Sequence, residues 1–165
     1  MQTQVVEKPL ATPGPVLQVH GLKTHFFTRN GVVKAVDGVD LTLAEGEILG
    51  LVGESGSGKS ITGFSLMGLL DEPGRIVDGE LRLNGEDLRG ASPARWRQLR
   101  GQEIAMIFQD PMMTLNPVLR VDAQMIEAVQ AHDRVSRAAA RDLARDTLAL
   151  MGIASPEAVS YTHLR

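Results

Sequence analysis

Cysteine is absent from the 165 residues, which excludes a disulfide framework, a zinc-thiolate cluster and a thiol nucleophile. Long apolar runs are missing too. The longest, Ile48–Val52 and Leu66–Leu70 broken by Gly68, are far too short to cross a bilayer. Seventeen basic side chains against 20 acidic ones leave a net charge of −3. A whole-molecule field built for nucleic acid or an anionic membrane is therefore not expected. Met1–Pro15 holds one lysine and no apolar h-region, unlike a secretory signal. The histidines, His20, His25, His132 and His163, have no metal-site spacing, and no paired carboxylates stand at ligand spacing, so a protein-built zinc centre is unsupported. What remains is room for one domain of ordinary size, with 43% apolar residues to fill a core. Its expected place of work is the cytoplasm, in solution or held at a membrane by a partner.

The first 15 residues, with three prolines and a glycine among small and polar residues, read as a flexible arm. From Val16 the chain alternates in short pieces: Leu17, Val19 and Leu22, then His25-Phe26-Phe27, a turn at Arg29-Asn30-Gly31 and a run from Val32 to Val36. Asp37-Gly38 reads as a second turn, followed by the period-2 strand of Val39, Leu41 and Leu43 and a turn at Glu45-Gly46. Glu47–Val52 is apolar on both sides, as expected of a parallel strand covered on both faces. The helical spacing of Ile61, Phe64, Met67 and Leu70 follows, closed by Pro73-Gly74. Gly79–Gly85 predicts a half-buried strand, Ser92-Pro93 a capped helix through Trp96 and Leu99, and Ile104–Phe108 a compact strand. Helices are predicted at Val121–Ala131 and Ser136–Met151. In the second, Ala140, Leu143, Thr147 and Leu150 form the apolar stripe and Gly152 stands at the stop. Thirteen of the 17 glycines fall between Gly31 and Gly90, which separates a turn-rich sheet region from a helical one.

Gly53-Glu54-Ser55-Gly56-Ser57-Gly58-Lys59-Ser60 matches the full phosphate-loop pattern. Gly53, Gly56 and Gly58 let the backbone turn its N–H groups inward at phosphates, and a helix opening at Lys59 adds its dipole. Lys59 suits the outer phosphates, Ser60 offers an oxygen to Mg²⁺, and Ser55 and Ser57 are small enough to leave the nest open. An all-apolar segment before the loop and an amphipathic one after it are the context that makes nucleoside triphosphate binding the strongest expectation. Gln109, following an apolar strand, is either a plain strand-end residue or an amide ligand for Mg²⁺ that senses the γ-phosphate. Asp110 reads as a turn residue before Pro111. Of Phe26 and Phe27, one can stack on a purine while the other closes a small core. Trp96 among Arg95, Arg97 and Arg100 reads as an anchor under a solvated helix face, and Arg134, Arg137, Arg141 and Arg145 as a solvated stripe.

Three runs carry a resemblance: Val33–Val39, Gly50–Ser60 and Ile107-Phe108-Gln109-Asp110-Pro111-Met112-Met113-Thr114-Leu115-Asn116-Pro117. Over Val16–His163 the chain resembles the ATP-binding subunits of ABC transporters, in the oligopeptide and dipeptide importer branch. The implied fold is α/β, the N-terminal part of a P-loop NTPase of the ABC ATPase type: parallel core strands, an antiparallel β-subdomain and the start of a helical subdomain. Residues 1–15 are then the arm and 16–165 a partial ATP-binding domain, divided into 16–110 and 111–165. The resemblance implies ATP and Mg²⁺ as cofactors, Gln109 as Mg²⁺ ligand and γ-phosphate sensor, and Phe27, less directly Phe26, as the adenine-stacking aromatic. It implies permease subunits and a second ATP-binding subunit as partners, an extracytoplasmic peptide-binding protein indirectly, and no nucleic acid. The place would be peripheral, on the cytoplasmic side of the membrane. Met113-Thr114 departs from the branch pattern, and so does Thr162 in Tyr161-Thr162-His163. The family's signature, its second phosphate-motif aspartate, catalytic glutamate and switch histidine are not found, and His163 stands too early for the last role. The expectation is a fragment that grips nucleotide for peptide import. The alternatives are a stand-alone nucleotide-binding module or a small P-loop enzyme such as a nucleotide kinase.

Overall fold

The computed structural model describes residues 14–109 and 115–160. Expectations placed on residues before Gly14, on Asp110–Thr114 and on Tyr161–Arg165 lie outside them. The chain forms two compact units, Met1–Trp96 and Arg97–Arg165.

The first unit is built on an antiparallel sheet in the order β2-β1-β3-β4, with β1 Leu17–Thr28, β2 Gly31–Leu43, β3 Gly74–Leu83 and β4 Glu86–Asp87. Its strands bury Val19, Leu22, Thr24, Val36, Leu81 and Leu83, the inward half of the period-2 pattern. Asn84 and Gly85 both have positive φ, 49° and 83°, so the β3–β4 hairpin closes through an Asn-Gly turn of the twisted type. The turn expected at Asp37-Gly38 is instead a bulge inside β2. Leu22 faces Val39 and Lys23 faces Asp37, so Gly38, at φ 87°, is the extra residue. Gly79 in β3 leaves no choice of residue: a Cβ there would lie 2.5 Å from the Gly21 carbonyl oxygen and 2.6 Å from Leu22 Cα.

Exposed ion pairs lace this sheet: Lys23 with Asp78 at 2.9 Å, Arg89 with Asp87 at 3.0 Å, and Arg95 with Glu86 at 2.7 Å. The hydrogen bonds from Lys23, Arg95 and Arg89 hold Asp78, Glu86 and Asp87 below their ordinary pKa values. A carboxylate depressed in the fold contributes stability that is complete above its unfolded pKa and lost as pH falls through the folded one. Melting temperature is therefore expected to be level from neutral pH down to about 5 and to drop below about 4, slightly, because the pairs are solvent-screened. Thermal melts from pH 3 to 7 at low and high salt check this; a drop beginning at pH 6 would contradict it.

Helix α1, Lys59–Leu66, ends earlier than the spacing predicted. Gly68 adopts φ 59° and its N–H bonds the Ser65 carbonyl, while Leu69 N–H reaches back to Phe64, the paired bonds of a Schellman stop. The indole of Trp96 lies against Gly68, where a Cβ would come within 2.5 Å of the ring. Trp96 is thus the anchor expected, packed on a glycine that stops a helix. It is carried by α2, Pro93–Leu99, which opens with the Ser92 hydroxyl accepting from Arg95 N–H.

The second unit contains α3 Val121–His132, α4 Arg137–Leu150 and α5 Pro156–Ser160. Ser136 caps α4 and Gly152, at φ 75°, stops it. Of the predicted α4 stripe Ala140 is buried, but Ala144 joins it in place of Leu143, Thr147 and Leu150, which are exposed. Small side chains let another element approach closely, so the alanines are covered and the leucines are not. Arg141 departs from a purely solvated stripe, lying 3.9 Å from the buried carboxylate of Asp122, whereas Arg145 stays on the solvated face with the exposed Asp142 and Asp146.

Two expected strands are not paired. Glu47–Val52 has no regular secondary structure among the described residues, and Ile48 and Val52 are 97% and 93% exposed. Ile104–Phe108 is reduced to one parallel bridge, Ile104 to Arg100, with Ile107 97% exposed. A strand exists only through a neighbour's backbone, and an apolar segment without neighbours keeps its pattern and loses its ladder. The parallel core strands are thus the part of the expected architecture that the described residues do not assemble.

Candidate functional site: the 53–60 loop

The loop forms where the sequence places it, between the apolar segment and α1. Gly56 and Gly58 take φ 81° and 90°, a region that L side chains avoid, so both are required as glycines. Ser57 N–H bonds the Glu54 carbonyl, closing the turn at 3.2 Å. Gly58 caps α1, and its carbonyl accepts both the N–H and the hydroxyl of Thr62, at 2.8 and 3.0 Å. That double bond to Thr62, and the seat of Gly58 against the Ala35 carbonyl of β2, are supports that the eight-residue motif does not announce. A second tie holds α1 to the sheet. Ser65 donates to the Ile61 carbonyl, so Thr24 of β1 donates to Ser65, at 2.8 Å in a buried pair.

Lys59 points back over the loop. Its ammonium donates to the carbonyls of Gly53 and Glu54, each at 2.7 Å, and to Ser57 Oγ at 3.3 Å. All three acceptors are neutral, so an anion entering the loop offers the lysine stronger, charge-assisted bonds. The opening turn of α1 contains no acidic residue to neutralise its dipole. Ser55 and Ser60 are exposed. Left-handed glycines, a lysine with exchangeable neutral acceptors and an uncompensated helix N-terminus together fit a polyphosphate. No cluster of three or more His, Cys, Asp or Glu side chains able to hold a metal occurs among the described residues. Ser60 offers an exposed hydroxyl oxygen at the start of α1.

The other expected residues are more dispersed. Phe26 is packed on Gly74, where a Cβ would meet its ring at 2.6 Å. By strand alternation Phe26 shares a face with Thr24, the face toward α1, whereas Phe27 stands on the other face with His25. Phe27 is 39% exposed and carries the Arg75 guanidinium 4.2 Å above its ring. Gln109 is exposed and belongs to the second unit, whereas Ser60 belongs to the first. A kinase lid would need free arginines, but Arg141 and Arg145 are engaged with Asp122, Asp142 and Asp146.

A family model described as ABC transporter matches residues 36–160. The chain is 42% identical over 151 residues to the oligopeptide transport ATP-binding protein AppD of Bacillus subtilis, covering 90% of this chain and 46% of the relative. It is 43% identical over 141 residues to the dipeptide transport ATP-binding protein DppD of Escherichia coli, covering 86% and 43%. The chain thus spans less than half the length of these relatives. Among solved structures, a bacterial ABC transporter cassette in dimeric form aligns with a TM-score of 0.75 at 19% identity, covering 89% of this chain and 61% of that one. The same cassette in a post-hydrolysis state bound to ADP and Pi aligns at 0.72 and 18% identity over the same shares. At those identities the likeness shows the fold. The α/β ABC ATPase class expected from the sequence is therefore established, even though its parallel strands are unpaired here.

Proposed function

The chain belongs to the ABC transporter family, and on that premise we propose that it is the nucleotide-gripping part of an ATPase subunit that energises peptide import. The observation that carries this is Lys59 lying across a loop shaped by left-handed Gly56 and Gly58, at the N-terminus of a helix with no acid in its first turn. In this reading Gly53–Lys59 hold the phosphates of ATP through their N–H groups and the lysine. Ser60 contributes a hydroxyl to Mg²⁺, and Gln109 contributes its amide oxygen and reports the γ-phosphate. When bound, Mg²⁺ would neutralise charge on the β- and γ-oxygens. The peptide specificity follows relatives named for oligopeptide and dipeptide transport. No helix among the described residues is long and apolar enough to cross a membrane. By analogy with the family, attachment would be peripheral, on the cytoplasmic side, through permease subunits and beside a second ATP-binding subunit.

Calorimetric titration with MgATP and with magnesium tripolyphosphate tests the grip and the base contact separately. Both should bind. A stacked aromatic ring contributes about 0.5–1.5 kcal/mol, so Phe27→Ala should weaken MgATP roughly 3- to 10-fold and leave tripolyphosphate unchanged. Loss of MgATP affinity in Phe26→Leu instead, with the fold intact, would move the adenine contact to the α1 face of the sheet. No binding of either ligand would remove the nucleotide reading.

A further inference from the structure

The buried residues of α1 are hydroxyl-bearing, Thr62 and Ser65, and Thr62 is only 3% exposed. A helical threonine often bonds the carbonyl four positions back, so the bond by itself is ordinary. What sets Thr62 apart is the carbonyl it reaches, that of the N-cap residue Gly58, at φ 90° and ψ 1°. An N-cap is usually an extended residue whose side chain bonds the helix; Gly58 makes no such bond. The plane of the 58–59 peptide is therefore held by what its carbonyl accepts. Thr62 N–H alone, at 2.8 Å, leaves that plane free to rock about the bond. The Thr62 hydroxyl, at 3.0 Å, fills the second lone pair of the oxygen and stops the rocking. Across a trans peptide the N–H points opposite to the carbonyl. Holding the Gly58 oxygen onto the helix thus aims Lys59 N–H out of its N-terminal end, where a first-turn N–H meets no carbonyl of its own helix.

We propose that Thr62 is a positioning residue for the phosphate grip: its hydroxyl fixes the 58–59 peptide so that Lys59 N–H meets an anion in the loop, while Thr62 itself touches no ligand. This rests on the reading of Gly53–Lys59 as phosphate-binding given above. Ser65, nearly one turn on, provides the contrast. Its hydroxyl bonds the Ile61 carbonyl at 2.7 Å, but the N–H of that peptide belongs to Thr62 and already bonds Gly58.

Two pairs of variants isolate the hydroxyl, because threonine and valine share a shape and serine and alanine nearly share a size. MgATP and magnesium tripolyphosphate are titrated into the whole chain at a temperature where every variant is folded. Kd for both ligands should rise at least about fivefold in Thr62→Val against the native chain, and in Thr62→Ala against Thr62→Ser. Thr62→Ser should stay within about twofold of native. If Thr62→Val does not fold, the serine and alanine pair decides. The Lys59 amide proton resonance should move downfield when saturating magnesium tripolyphosphate is added to the native chain, and stay nearly in place in Thr62→Val. Ser65→Ala should lower the melting temperature and leave both affinities within about twofold. Equal affinities within each pair, a loss confined to MgATP, or a Lys59 resonance that moves as far in Thr62→Val would overturn the inference. So would an equal loss of affinity in Ser65→Ala, which would make Thr62 one of several ties that merely hold α1 together. A native chain that binds neither ligand fails the phosphate reading as well, whereas native binding matched by all the variants fails the inference alone.

Discussion

Gly58→Ala is expected to abolish nucleotide binding and to destabilise the first unit by about 2–5 kcal/mol. Two costs add. The backbone at Gly58 has φ 90°, and holding an alanine in that region costs about 1–2 kcal/mol. The new Cβ would also lie 2.4 Å from the carbonyl oxygen of Ala35, a backbone atom of β2 at a bulge between Lys34 and Val36, both of which pair with β1. Relieving such a contact means moving α1 off the sheet, at about 1–3 kcal/mol as for other overpacked sites. That movement pulls the loop N–H groups out of register with the phosphates. Gly56→Ala is the control: φ is 81° there, but no atom lies within 4 Å of the added Cβ. It should carry the conformational cost alone and retain measurable binding. Urea denaturation and MgATP titration of both variants decide the matter, and equal stability losses would show that the seat on Ala35 contributes nothing.

The loop was legible because its chemistry is written in eight consecutive residues, and so was the Ser92-Pro93 cap, which is equally local. The seat of Gly58 was not, because it depends on a carbonyl of a strand more than twenty positions earlier, and every residue type offers the same carbonyl. Gly38 shows a different limit. Asp-Gly marks a place where positive φ is needed, and both a turn and a bulge need it; only the register with β1 distinguishes them. Pro73-Gly74 marks the end of α1 in the sequence because proline is a strong stop signal, yet the helix ends at Gly68, against an indole brought in by a later helix. Ile48–Val52 is the instructive case. Apolarity on both faces states that a segment is suited to burial between layers, but carries no address for the layers, and among the described residues they are not assembled around it. The Gln124 amide, which bonds the main chain of Asn116 and Leu119, leaves no periodic trace at all, since its partners are main-chain atoms.

Lys59→Ala is expected to separate binding from folding. The ammonium meets only the carbonyls of Gly53 and Glu54 and the Ser57 hydroxyl, all on exposed residues that water can satisfy once the side chain is gone. Stability should therefore change by less than about 1 kcal/mol, the usual range for an exposed polar contact. Affinity is different, because the lysine is a mobile cation folded over the loop and able to face the outer phosphates. Loss of a charge-assisted contact of about 1.5–3 kcal/mol corresponds to roughly a 10- to 150-fold rise in Kd for MgATP. Lys59→Arg should not restore it fully, since a planar fork does not replace a compact ammonium folded over the loop. The same variant is the reference for turnover. Within these 165 residues no carboxylate occupies a position recognisable as the one that orients an attacking water, so the chain should bind MgATP yet release phosphate no faster than Lys59→Ala. Phosphate release well above that reference, in material free of other ATPases, would mean that a base within this chain activates the water. Unchanged MgATP affinity in Lys59→Ala would mean that the backbone N–H groups and the helix N-terminus hold the phosphates without it.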